Sequence, residues 1–280
     1  MKADCHIHMV LDGEYWKAAI SRHAKQPDDT FIRRVLATYQ AQGYTYLRDG
    51  GDRWGAGLRA RQLAPRYGIT YKTPGAPLCE KGRYGSFIGA AYETLSDYRA
   101  LVVNARRTGM DFIKIMISGL MDFDRFGVLT EPGMPAQQIR ELIHIAHEEG
   151  MAVMAHANGA DTVIPAAEAG VDSVEHGAYL TEEALFAMKE AGAVWVPTLS
   201  TIGNLRKQGR FDDAAVEKIL EGALENVGRF HSIGGLLAPG TDAGAWRVPH
   251  GSQTELPLLY QAGVTPEALE RGVATIIKKF

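Results

Sequence analysis

Eight short apolar runs punctuate this chain, and the stretches between them space their apolar residues three and four apart. The runs are Ala3–Met9, Tyr44–Arg48, Ile69–Thr73, Asp111–Ser118, Met151–Ala157, Asp172–His176, Ala193–Thr198 and Gly235–Thr241. Runs of this length read as strands, and the stretches between them as amphipathic helices. Phe31-Val35-Leu36-Tyr39, Ile139-Leu142-Ile143-Ala146 and Val216-Ile219-Leu220-Ala223 are the clearest helical stripes; the second is entered through Pro135 and closed by Gly150. Strands joined by crossover helices lie parallel. Eight such units at roughly 35 residues each fit a (β/α)8 barrel, a TIM barrel, better than an open sheet. With no internal repeat, low-complexity tract or linker, the expectation is an α/β fold in a single domain over residues 1–280. Two connections, Gly75–Glu93 and Gly119–Pro135, are long and follow strands, so they belong to the barrel face where such folds keep their sites.

Composition excludes several classes. Thirty Lys and Arg against 33 Asp and Glu leave a net charge of −3 and no basic field for nucleic acid. No apolar run reaches the ~18 residues of a membrane span. Met1-Lys2-Ala3-Asp4-Cys5-His6 is polar where a signal peptide would be apolar. Two cysteines, Cys5 and Cys79, make no disulfide framework and read as small buried hydrophobes. These features together predict a cytoplasmic protein that engages neither nucleic acid nor membrane.

Chemistry shows as violations of the strand pattern. In Ala3-Asp4-Cys5-His6-Ile7-His8-Met9, alternate side chains share a face, so His6 and His8 point the same way and can hold one metal ion. A His-x-His pair alone is weak, since packed histidines give the same pattern. Lys114 stands among Phe112, Ile113, Ile115, Met116 and Ile117 on a strand that a parallel sheet buries on both faces. A buried ammonium is costly and must pair, lose its charge or bind something. The plainer reading is a lysine that snorkels out; the functional ones are a Schiff base, a general base or a metal-bridging carbamate. His156, His176 and Asp242 end later strands. Each alone reads as a hydrogen-bonded histidine or a turn aspartate. All at C-terminal strand ends, they converge on one mouth and make a set of N and O donors suited to Zn, Mn, Fe or Ni. His144 and His147 lie off their helix stripe, and His23 and His231 read as surface residues.

These motifs resemble the amidohydrolase superfamily of metal-dependent hydrolases, in its imidazolonepropionase-related and prolidase-like branch. The resemblance rests on Asp4-Cys5-His6-Ile7-His8, Arg48-Asp49-Gly50-Gly51, Phe112-Ile113-Lys114-Ile115, Ala155-His156-Ala157-Asn158-Gly159, Ser173-Val174-Glu175-His176-Gly177 and Gly240-Thr241-Asp242-Ala243-Gly244. It implies that His6, His8 and Asp242 hold one divalent ion, that His156 and His176 hold a second, and that Lys114, carboxylated by CO2, bridges two ions, zinc first among them. It also implies that Asp242 works as general acid and base, with Lys114 beside it, in hydrolysis of an amide-type C–N bond in a cyclic amide or a small peptide-like substrate. The alternatives are a one-metal deaminase, a lactonase or esterase, or a non-catalytic metal-binding relative. Relatives carry a flanking β-sandwich for which this sequence leaves no room, and the surface so exposed predicts a homo-oligomer. Arg83, Tyr84, Arg125, Arg247 and His250, in loops after strands, are candidate contacts to the substrate, with solvated loop charges as the plainer reading.

Overall fold

The computed structural model describes residues 2–280. Its strands are β1 (Lys2–Ile7), β2 (Tyr44–Asp49), β3 (Thr70–Lys72), β4 (Leu78–Glu80), β5 (Ala90–Tyr92), β6 (Ile113–Met116), β7 (Val153–Ala157), β8 (Ser173–His176), β9 (Val194–Val196) and β10 (Leu236–Leu237). Its helices are α1 (Trp16–His23), α2 (Asp29–Ala41), α3 (Ala56–Leu63), α4 (Leu95–Arg107), α5 (Ala136–Glu148), α6 (Ala160–Glu168), α7 (Glu182–Ala191), α8 (Ser200–Gly203), α9 (Asp213–Ser232), α10 (Glu255–Gln261) and α11 (Pro266–Lys279). The fold is thus α/β, and the paired strands run parallel in two sheets, ordered β1-β2-β3 and β10-β9-β8-β7-β6-β4-β5.

Backbone hydrogen bonds also run between the two sheets. Cys5 N donates to Pro239 O (2.9 Å), Asp242 N to His6 O (2.7 Å) and His8 N to Ala243 O (2.7 Å), so β1 lies along the extended chain that follows β10. On the other side, Asp111 N donates to Thr73 O (3.1 Å), between the end of β3 and the approach to β6.

All eight expected strands are present, and the helical stripes bury as spaced: Phe31, Val35, Leu36 and Tyr39 on α2, Ile139, Leu142, Ile143 and Ala146 on α5. Three differences have physical causes. Gly75–Glu93 carries β4 and β5, each of three residues, too short for periodicity to register. β10 is regular over only Leu236–Leu237 because Pro239 and Gly240 take over the run. His23 is buried, not exposed: its Nδ1 accepts from the N–H of Asp28, the residue that caps α2, at 3.1 Å, and its ring meets Phe31 edge-on. Among the described residues no helix is long and apolar enough to cross a membrane. Cys5 and Cys79 are both free and buried.

The largest core cluster fills the space between β6–β10 and helices α4 to α11, with Ile113, Ile115 and Ile117 all facing it. That placement turns Lys114 to the opposite face of β6.

Candidate metal centre

Strand alternation brings His6 and His8 to one side of β1. Their rings lie 5.3 Å apart, and Gly50 makes room for the second, since a Cβ there would come within 2.3 Å of the His8 ring. Asp242 Oδ1 lies 3.3 Å from His8 Nε2 and 3.5 Å from His6 Nε2. One ligand atom from each of His6, His8 and Asp242 falls within 4.8 Å of the others, a group able to hold a metal ion.

The His6 ring is also 5.1 Å from that of His176, which is 4.4 Å from that of His156. Asp242 and His176 take backbone conformations that side-chain-bearing residues seldom adopt, with φ of 55° and 68°. Neighbours hold His176 there: Trp195 Nε1 donates to its carbonyl at 3.0 Å, and its Nδ1 is 2.7 Å from Thr198 Oγ1. Gly177, which follows, must lack a side chain because a Cβ would lie 2.5 Å from Trp195 Nε1. His156 engages the Gly119 carbonyl through Nε2 at 3.2 Å, which leaves Nδ1 for the cavity.

Lys114 is 1% exposed. Its Nζ has no hydrogen-bond partner among the described residues, and the same holds for His6 Nε2, His8 Nδ1 and Asp242 Oδ1. Burial pulls the lysine down to about 8, although Glu175 and Asp242 partly offset it. Burial, with the Lys114 charge behind it, lowers His6 to about 4 and His156 to about 3. Burial lowers His176 well below the ordinary imidazole range, with His156 and His6 adding to it. Burial works the other way on Asp242, but the histidines beside it outweigh it and hold the carboxyl below its usual range. All three shifted imidazoles are therefore neutral near pH 7, the form that binds metal.

Two residues behind this group, Glu175 in contact with His6 and Arg48 in contact with Glu175, were not singled out from sequence. Glu175 accepts from His6 Nδ1 through Oε2 at 2.8 Å, and Arg48 Nη2 donates to Glu175 Oε1 at 2.8 Å. Both are fully buried. Their signal was present: Arg48 is the one charged residue of the run Tyr44–Arg48, and Glu175 the one Asp, Glu, Lys or Arg within β8.

A cavity of about 780 Å³ opens above the group, with His8, Lys114, His156, His176 and Asp242 on its wall. The rest is mainly apolar and aromatic, including Trp16, Tyr84, Phe87, Met121, Phe211 and Trp246. Of the candidate substrate contacts, Tyr84 lies on this wall, its ring 4.7 Å from that of His156. Arg83, Arg125, Arg247 and His250 do not line it. Arg83 binds the Pro132 carbonyl, Arg125 Nε donates to Asp122 at 2.7 Å, Arg247 lies 5.2 Å over the Trp246 ring, and His250 Nε2 engages the Leu11 carbonyl at 2.9 Å. The arginine on the wall is Arg210, stacked 4.3 Å over Trp246.

No family model matches the chain. Ochratoxinase of Aspergillus niger is 26% identical over an alignment of 314 residues that covers 97% of this chain; the chain spans 63% of that protein's length. Among solved structures, a Xaa-Pro dipeptidase with bound methionine in its active site superposes with a TM-score of 0.79 at 20% identity, covering 99% of this chain and 75% of the other. An amidohydrolase superposes with a TM-score of 0.75 at 21% identity, covering 99% and 74%. In fold, the neighbours of this chain are prolidase-like and amidohydrolase proteins.

Proposed function

From this kinship with amidohydrolase and prolidase-like proteins, we propose that the chain is a metal-dependent hydrolase of amide-type C–N bonds, built as one (β/α)8 barrel over residues 1–280. The hydrogen bonds from β1 to the chain after β10, and from Asp111 to Thr73, support closure of the two sheets into a ring. The observation that carries the chemical reading is the gathering of unpartnered buried atoms beside one cavity: His6 Nε2, Asp242 Oδ1 and Lys114 Nζ, with His8 Nε2 3.3 Å from that carboxylate oxygen. Buried polar atoms normally have partners, and a group of them with none is a site that expects a ligand.

The donor set fits a divalent ion, with neutral imidazole nitrogens and a carboxylate oxygen and no thiolate on the cavity wall. His6, His8 and Asp242 would hold one ion and His156 and His176 a second; Lys114, carboxylated on Nζ, would serve both. When bound, such ions lower the pKa of a water and offset negative charge developing on a carbonyl oxygen. Carboxylation turns Lys114 from an unpaired buried ammonium into an anion suited to a cationic site. Asp242, held as a carboxylate by the two histidines beside it, takes a proton from the attacking water on Oδ1 and passes it to the leaving nitrogen. Tyr84 and the aromatic wall exclude bulk water and favour an amide with an apolar substituent.

A one-ion deaminase or ester hydrolase is the second reading, favoured because His6, His8 and Asp242 already form a three-ligand group. Metal analysis on one sample, combined with a screen of amides, lactams, lactones and dipeptides, separates the two. Two ions per chain, with activity lost in Lys114→Ala and partly restored by a short carboxylic acid, supports the two-ion amidase. One ion with Lys114→Ala still active supports the alternative. A metal-loaded protein inert across the panel would sink both.

A further inference from the structure

Glu175 and His176 are consecutive on β8, and strand alternation would send them to opposite faces. Both reach His6: the Glu175 carboxylate bonds its Nδ1, and the His176 ring lies 5.1 Å from its ring. The left-handed backbone at His176 ends the alternation at that residue and lets β8 supply both. Glu175 is fully buried and its carboxylate is fully engaged. Oε1 accepts from Arg48 Nη2 at 2.8 Å and Ser173 Oγ at 2.6 Å, and Oε2 is left to His6. Arg48 is itself fixed on three sides. Nε donates to the carbonyl of Cys5, the residue before His6, at 2.7 Å, Nη1 donates to Ser173 Oγ at 2.9 Å, and the guanidinium stacks 4.5 Å over the Phe280 ring. The pair therefore ties β2 and β8 to the backbone of Cys5 and the side chain of His6, consecutive positions on β1.

We propose that Arg48, Ser173 and Glu175 form a positioning relay that fixes the tautomer and orientation of His6 and so sets the metal affinity of the His6–His8–Asp242 site. The proposal rests on the reading of that site as a metal centre. A carboxylate accepts only, so the nitrogen facing Glu175 must carry the proton. His6 is thereby held with Nδ1–H toward Glu175 and a free lone pair on Nε2 toward Asp242 and His8. Two other imidazoles of the group, His156 and His176, are placed differently. His156 meets a carbonyl through Nε2, and His176 meets a hydroxyl, which can donate or accept and so does not choose the tautomer. A buried ion pair contributes little to stability compared with apolar residues of the same volume, whereas a carboxylate behind a metal-binding histidine raises ligand basicity and fixes its angle.

The test compares wild type with Glu175→Gln and with the double variant Arg48→Met/Glu175→Leu, which removes both charges together and so leaves neither unpaired. Zn2+ affinity is measured by chelator competition, thermal stability by melting, and the His6 tautomer by 15N NMR of the metal-free protein. Glu175→Gln should weaken one bound ion by about 10- to 100-fold and abolish the single Nδ1–H form of His6. The double variant should regain the melting temperature while the affinity loss persists, which a merely structural pair would not produce. A double variant that binds Zn2+ as tightly as wild type overturns the relay. If wild type binds no divalent ion, the metal reading falls. The NMR arm then still decides for the relay: a wild-type His6 not in the Nδ1–H form, or one unmoved by Glu175→Gln, overturns it.

Discussion

Replacing Lys114 with methionine should stabilise the metal-stripped protein and abolish most of its stabilisation by metal. The ammonium is buried without a hydrogen-bond partner among the described residues, and burial lowers its pKa from an ordinary 10.5 to about 8. At about 1.4 kcal/mol per pH unit, the difference weighs about 3 kcal/mol against the folded state wherever both states are protonated, below about pH 8. Between about pH 8 and 10.5 the unfolded chain keeps its proton while the folded chain has released it, so the penalty fades as pH rises. Methionine removes the charge at nearly constant volume. The variant's advantage should therefore be about 3 kcal/mol at pH 7 and shrink steadily toward pH 10. Urea unfolding of EDTA-treated protein at pH 7, 8.5 and 10 measures it, with the wild-type-to-variant difference cancelling groups common to both. With Zn2+ added the order should reverse, because metal binding stabilises the wild type and the variant lacks the lysine proposed as the shared ligand. A variant no more stable than wild type at pH 7, or an advantage that does not diminish by pH 10, refutes the reasoning.

Further outcomes follow from the same geometry. Gly50→Ala should push the His8 ring aside and weaken metal binding about tenfold or more with the far-UV spectrum unchanged; full wild-type affinity would contradict the reading of Gly50 as the space that His8 needs. The metal-free protein should lose stability as pH falls from about 6.5 toward 4, because unfolded histidines take up protons that buried His6 and His156 refuse. His156→Phe should flatten that fall, and an unchanged slope in urea unfolding would count against it. Arg125→Ala should change KM for carboxylate-bearing substrates less than Arg210→Ala does, since Arg125 is off the cavity wall with its guanidinium bound to Asp122, whereas Arg210 is on the wall; the reverse pattern would redraw the binding wall.

How much of this was legible in the sequence depends on whether a feature obeys a period. Alternation on β1 put His6 and His8 together, and the three isoleucines around Lys114 turned that lysine inward, both without knowledge of any contact. The α/β class and parallel order followed from the succession of strand and helix. β4 and β5 could not be read, since three residues carry no period. Arg48 and Glu175 looked like ordinary charges at strand ends, because only their mutual contact, 127 positions apart, reveals the network. The loop arginines were misplaced for a related reason: outside regular structure no rule links sequence position to side-chain direction, so Arg83, Arg125 and Arg247 found partners off the cavity wall or beside them in the chain while Arg210 reached the wall.

The left-handed backbone at His176 and Asp242 carries a consequence for anyone who evolves this protein in the laboratory. Glycine would relieve strain of about 1 kcal/mol or more at each position, and it would delete a site residue at each. A library sorted for thermal stability alone therefore has a downhill path that runs through the proposed centre and leaves the scaffold better folded than before. On the proposed reading, keeping the site requires that metal be present throughout selection, so that ion binding outweighs the strain at the residues proposed to hold it.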